Sequence, residues 1–182
     1  MRIAVTTPTG NVGTHLTGMM IRAGVRPLLL ARTPSKIPID LLTHVDVVEA
    51  DSTDPEQVVK ATRGVDAIYW VDPSTASADP LADYVRATQA IVAAVEANTI
   101  ARVVFQSSVG AEKRHGVGEI DGLAATEVAL DRLAADVTHL RCGYFFTNLL
   151  LSMEDVRQGR LRTVLPLDPV SYTHLTLPTS DL

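Results

Sequence analysis

The sequence predicts an α/β domain built on a doubly wound parallel sheet. Short apolar runs rich in β-branched residues alternate with segments of helical period. The first run passes through the turn Thr7-Pro8-Thr9-Gly10-Asn11-Val12-Gly13 straight into a helix. The composition is that of one folded domain: 182 residues, 46% apolar and 20% charged, enough to bury a sizeable core.

Each element has its own signal. Residues 2–6 read as a buried strand. Val12, Leu16, Met19, Met20 and Ala23 then recur at helical spacing, and Gly24 stops that helix. Residues 26–31 form a second strand ending at Arg32-Thr33-Pro34, and residues 45–50 a third. Asp54 caps the next helix, with Pro55 at its first position and Gln57 placed for a capping box; Gly64 ends it. Residues 67–71 are a fourth strand, closed by Asp72-Pro73 and a polar connector. Pro80 opens a long helix whose expected buried stripe is Leu81, Tyr84, Val85, Ala87, Ile91, Val92 and Val95. Residues 102–105 are a fifth strand, closing in Gln106-Ser107-Ser108, and 111–118 a polar loop. Leu123, Val128, Leu130, Leu133 and Ala134 indicate another helix. Residues 138–142 are a sixth strand and 147–158 a final helix. Strands alternating with helices imply right-handed crossovers and a sheet covered on both faces.

Composition excludes several classes. Sixteen basic against 21 acidic side chains give a net charge of −5, which argues against direct nucleic-acid binding. No apolar run approaches the roughly 20 residues of a membrane span. Arg2 and the short stretch after it do not make a signal-peptide pattern. One cysteine, Cys142, allows no internal disulfide and fits a reducing compartment, so a cytoplasmic location is expected. The five histidines have no metal-ligand spacing, and no metal is expected.

The stretch Val170-Ser171-Tyr172-Thr173-His174-Leu175-Thr176-Leu177-Pro178-Thr179 has neither period and resembles one reading frame of a transposon-end sequencing adapter. The expected division is a native domain over 1–168 and a non-native read-through tail over 169–182. The alternative is a genuine Thr-rich tail.

The first turn carries the chemistry. It has the context of a dinucleotide fingerprint, after a strand and opening a helix. Amides at a helix N-terminus are unsatisfied and lie at the positive end of the dipole, so they suit a pyrophosphate. Gly10 lets phosphates approach the backbone, and Gly13 lets the helix pack close to the strand. Thr7 stands where the usual pattern has its first glycine. A plain strand–helix turn is the alternative. At the end of strand two, an acid would bind the ribose 2′-hydroxyl of NAD. This chain has Arg32 and, nearby, Lys36, which fit the 2′-phosphate of NADP, with NAD less favoured. The alternative there is a solvated cation pair.

These segments, with Ala50-Asp51-Ser52, Gly64-Val65-Asp66-Ala67-Ile68, residues 105–111, Thr126-Glu127 and residues 138–148, resemble the NmrA-like branch of the atypical short-chain dehydrogenases, NAD(P)-binding Rossmann proteins. The likeness runs in order through residues 1–160. It implies that Thr7, Thr9, Gly10, Asn11, Val12 and Gly13 hold the cofactor with Arg32 and Lys36, and that Asp51 and Ser52 lie near the adenine. It places Val71, Asp72 and Pro73 beside the cofactor and Ser107 near the nicotinamide. Tyr144, Phe145 and Asn148 match the block bordering the substrate cleft; packing under the sheet edge is their other reading. The family's C-terminal substrate subdomain is expected to be largely missing.

No catalytic residue is assigned. No tyrosine has lysine four residues on: Tyr69 leads to Pro73, Tyr84 to Thr88, Tyr144 to Asn148 and Tyr172 to Thr176. The family's Lys or His on the helix before strand six corresponds here to Leu123, which cannot move a proton. No Gly-x-Ser-x-Gly nucleophile elbow is present. Besides a structural or inert member of the family, two functional readings follow. One is an NADPH-dependent oxidoreductase acting on a quinone or similar small carbonyl compound, where the cofactor carries the chemistry. The other is a non-catalytic NADP-binding redox sensor acting through a protein partner.

Overall fold

The computed structural model describes residues 1–73 and 77–160. The boundary expected at residue 168 and the tail over 169–182 lie outside the described residues. The chain divides into two compact units, Met1–Leu140 and Arg141–Leu182.

In chain order the elements are β1 (Ile3–Thr6), α1 (Asn11–Arg22), β2 (Leu28–Ala31), β3 (Asp46–Glu49), α2 (Pro55–Ala61), β4 (Ala67–Trp70), α3 (Pro80–Asn98), β5 (Arg102–Ser108), α4 (Ile120–Leu130), β6 (Asp136–Cys142) and α5 (Met153–Arg157). The six strands make one sheet in the order β3-β2-β1-β4-β5-β6. β1 pairs in parallel with both β2 and β4, so Val5 lies between Leu29 and Tyr69. β2 with β3 and β4 with β5 are also parallel. This is the doubly wound Rossmann arrangement, and its strand order reverses direction between β1 and β4.

Alternation along each strand divides the core between two faces. Ala4, Leu28, Leu30, Ile68, Trp70, Val103 and Phe105 pack with α2, α3 and the end of α4. Val5, Leu29 and Ala31 pack with Leu16, Met20 and Ile21 of α1, and with Ile37 and Val45. Each fully buried aliphatic side chain contributes on the order of 2 kcal/mol relative to exposure. Gly24 sits past α1 at φ 75°, and its amide and that of Val25 bond back to Ile21 and Met20, closing the helix end.

Four details differ from the sequence expectation. Leu81 and Val85 are 46% and 53% exposed. The buried face of α3 is instead Asp83, Ala87, Ala90, Ile91, Ala94 and Val95, because small residues let α3 lie close to α2 and α4. Asp83 is buried because its carboxylate takes the Ser77 hydroxyl (2.6 Å) and the Arg86 guanidinium. Gln57 does not close a capping box: the Asp54 amide already bonds Asp51 O, so the Gln57 side chain accepts from the Asp51 amide (3.0 Å). Asp54 caps as expected, accepting the Gln57 amide at 3.1 Å. In the second unit, the first part of the expected final helix is a 3-10 segment, Phe146–Ser152, before α5. Phe145 offers no side-chain acceptor to cap an α-helix there.

α3 and α4 meet at Gly122. A Cβ there would lie 2.4 Å from the Tyr84 ring and 2.8 Å from its Cβ. Gly122→Ala should cost about 1–3 kcal/mol in urea unfolding. Adding Tyr84→Ala should make the double variant less destabilised than the sum of the singles; strict additivity would contradict this account of the contact.

Candidate functional site

The β1–α1 turn is built around a close backbone approach. Thr7 holds φ 48°, the left-handed conformation that glycine adopts freely, and its carbonyl accepts the Gly10 amide at 3.0 Å. A Cβ on Gly13 would stand 2.2 Å from Thr7 O and 2.8 Å from Pro8 Cα. No side chain but hydrogen fits where α1 crosses its own turn. Gly10 is the N-cap; it supplies no side-chain bond, and the first turn of α1 carries no acid. The amides of Asn11, Val12 and Gly13 have no carbonyl one turn back. Thr9, Gly10 and Asn11 are exposed beside them.

Arg32 and Lys36 are both exposed at the end of β2, and neither makes an ion pair with a described residue. Lys36 and Thr9 line one cavity of about 110 Å³ with Pro8, Thr14, Leu29 and Ile37. Lys36 and the first turn therefore share one flank of α1. Beyond β3, Asp51 Oδ1 accepts the Thr53 amide (2.9 Å) and hydroxyl (2.8 Å), so this oxygen is held within its own turn. Ser52 beside it is buried.

On the other side of β1, the Thr6 hydroxyl accepts the Val71 amide at 2.9 Å and ties the ends of β1 and β4 together. Asp72 turns its carboxyl inward. It accepts Trp70 Nε1 at 2.7 Å and the Thr126 hydroxyl at 2.9 Å, and Thr126 meets the Thr88 hydroxyl at 2.7 Å. Burial pushes the Asp72 pKa up to about 6, with the two hydrogen bonds opposing the rise. Pro73 is buried next to it. At the end of β5 the Ser107 hydroxyl donates to Glu127 Oε1 at 2.7 Å. Arg114 Nη1 donates to the other Glu127 oxygen, also at 2.7 Å. Glu127 and Ser107 are buried, at 0% and 3% exposure.

Comparison with known proteins bears on this edge. A family model described as NAD(P)H-binding matches residues 8–145. The chain belongs to the NAD(P)H-binding family. Solved structures share the fold. A nucleoside-diphosphate-sugar epimerase from Staphylococcus aureus superposes with a TM-score of 0.80 at 20% identity, over 87% of this chain and 56% of that one. A NADPH-dependent quinone oxidoreductase from Escherichia coli, complexed with NADPH, gives 0.72 at 23% identity, over 86% and 54%. A triphenylmethane reductase from Citrobacter sp., complexed with NADP(H), gives 0.71 at 23% identity, over 85% and 55%. The chain thus spans about half the length of each of these structures.

In a NAD(P)H-binding fold, ligands lie across the strand ends at the point where the strand order reverses. The residues present fit such a group. The α1 amides are bare, Gly10 puts no side chain in front of them, and the flanking cations are unpaired among the described residues. Thr7 to Gly13 come together in one turn, with Lys36 on its flank and Arg32 just past the end of β2. Val71, Asp72 and Pro73 end β4, and Ser107 lies at the end of β5, next to it. Tyr144, Phe145 and Asn148 belong to the second unit, the first two exposed and Asn148 half-buried. Leu123 packs against the core and offers no proton. Arg114, at φ 70°, is the residue that reading the sequence missed. It stands 13 positions before Glu127 with a helix start between them, so no local pattern joins the two. Among the described residues no helix is long and apolar enough to cross a membrane.

Asp72 gives a pH test. A carboxyl with a higher pKa in the folded state than its ordinary 3.8 binds more protons when folded. Its contribution to stability therefore falls as pH rises from about 4 to about 6. Asp72→Asn, with an amide oxygen for Trp70, should gain on the parent by on the order of 2 kcal/mol between pH 4 and 7 in urea unfolding. A constant difference across that range would show that Asp72 titrates normally.

Proposed function

We propose that this chain binds NADP(H) in preference to NAD(H) and forms the cofactor-holding part of an oxidoreductase. The observation that carries the reading is the end of β2. Two exposed cations, Arg32 and Lys36, stand there without an ion-pair partner among the described residues, and Lys36 shares a cavity with Thr9. A 2′-phosphate needs charge and fork-shaped donors, whereas a 2′-hydroxyl needs an acceptor. In this reading the α1 amides hold the pyrophosphate, aided by Thr7, Thr9, Gly10, Asn11, Val12 and Gly13. Asp51 and Ser52 border the adenine. Val71, Asp72, Pro73 and Ser107 border the nicotinamide, and Tyr144, Phe145 and Asn148 border the substrate. When bound, the nicotinamide supplies a hydride. This chain's residues bind it, orient it and keep one face toward the cleft.

The substrate in this proposal is a quinone or similar small carbonyl compound. The Escherichia coli quinone oxidoreductase, an NADPH complex of the same fold, supports it, and the Citrobacter reductase supports NADP(H) as the cofactor. A second reading, a redox sensor that binds NADP and acts through a protein partner, is favoured by Leu123, packed where the resemblance calls for a lysine or histidine. Steady NADPH oxidation with a panel of quinones supports the first reading; tight binding without turnover supports the second.

Arg32→Ala tests the cofactor assignment. Removing a guanidinium that meets a phosphate should weaken NADP binding about tenfold to a hundredfold, with NAD binding little changed. Calorimetric titration reads both. Unchanged affinity for both dinucleotides would reject the assignment at β2.

A further inference from the structure

The cavity between α1 and β2 has a buried floor and an open rim. Pro8, Thr17, Leu29 and Ile37 line its buried part, and Thr9 and Lys36 its exposed part. Thr17 lies in the middle of α1 and Leu29 inside β2, so the floor is set back from the strand ends. Thr17 is 1% exposed, and its hydroxyl has no hydrogen-bond partner among the described residues. A buried threonine in a helix commonly gives its proton to the carbonyl one turn back. Thr62 at the end of α2 does so to Val58 O, and Thr88 in α3 to Tyr84 O, both at 2.8 Å. Thr17 makes no such bond, so its proton and its lone pairs are both unspent beside the cavity.

The lining decides what can fill this space. A buried water needs about two to four polar partners, and the side chains of Pro8, Leu29 and Ile37 offer none. An ion would have to leave water for a floor without an opposite charge. A molecule with an apolar body needs one polar partner only, and Thr17 can donate to it or accept from it. We infer that this cavity is a binding site for a small neutral alcohol, its alkyl body against Leu29 and Ile37 and its hydroxyl bonded to Thr17. A cavity of about 150 Å³ takes a benzene ring. The space here is about 110 Å³, which suits a compact branched alcohol of about five non-hydrogen atoms. The inference goes beyond the proposed function and does not rest on it, because the dinucleotide reading uses Thr9 and Lys36 at the rim and the alcohol uses the floor.

The test titrates the full chain, without dinucleotide, with tert-butanol and follows the resonances of Thr17, Leu29 and Ile37 by NMR. Their shifts should saturate with a Kd of about a millimolar to tens of millimolar, in keeping with so few ligand atoms. Thr17→Val keeps the shape of the side chain and removes the hydroxyl. It should weaken tert-butanol binding about threefold to tenfold, the effect of one neutral hydrogen bond. Without ligand, the same variant should melt above the parent, since a methyl replaces an unsatisfied buried group. Shifts that grow in proportion to alcohol concentration and spread over surface residues would overturn the inference. Equal affinity in the parent and in Thr17→Val would do the same. A variant that melts below the parent would also overturn it, because the hydroxyl would then already have a partner such as water.

Discussion

The fold turns on one close contact, that between α1 and the turn that delivers it. Thr7 is held at φ 48°, and Gly13 faces its carbonyl at a distance where a Cβ would stand 2.2 Å away. This contact lets Leu16, Met20 and Ile21 reach the sheet face formed by Val5, Leu29 and Ala31. It also leaves the first amides of α1 pointing past the end of β1, without a capping side chain. Core packing on one face and the uncapped helix start at the edge thus have the same cause. A threonine in the left-handed region costs roughly 1 kcal/mol, which the surrounding hydrogen bonds and α1 burial offset.

The other half of the edge is organised by side chains rather than by backbone amides. Where the apolar core of β4 and β5 stops, polar groups begin, and they come in satisfied chains. One runs from Thr88 through Thr126 to Asp72 and Trp70. The other joins Ser107, Glu127 and Arg114. An unpaired member of either would face the full cost of desolvation, so the chains hold the strand ends and α4 in one arrangement. The edge is asymmetric as a result. Cations unpaired among the described residues, Arg32 and Lys36, stand on the β2 side, and acids turned inward, Asp72 and Glu127, stand on the β4 and β5 side. A ligand with a charged end and a neutral aromatic end matches that asymmetry.

Much of this was legible one residue at a time. Strands β1, β2 and β4 were visible because two-sided burial demands short apolar runs, and the helix ends because Gly24, Asp54, Pro55, Gly64 and Pro80 act locally. The first turn and the cations at the end of β2 were visible because their chemistry lies in contiguous segments. The α3 face was not legible. Leu81 and Val85 look more apolar than Ala87, Ala90 and Ala94, yet the alanines are buried, since helix spacing rewards small side chains where two other helices approach. The partner of Gln57 depended on where the preceding turn put the Asp51 amide. Helix period alone did not show that residues 146–152 bond in the tighter 3-10 pattern.

The sequence by itself determined the class of fold, the order of strands and helices, and the tight turn that opens α1. All of these follow from periodicity and from residues acting on their immediate neighbours. Tertiary structure alone decided that Ser107, Arg114 and Glu127 meet, that Asp72 faces the core, and that Lys36 shares a cavity with Thr9. Those pairings span from 13 to more than 50 positions of chain for all but Ser107 with Arg114, and depend on which strand lies beside which. No local rule encodes that, because it is settled by how the whole sheet buries its two faces.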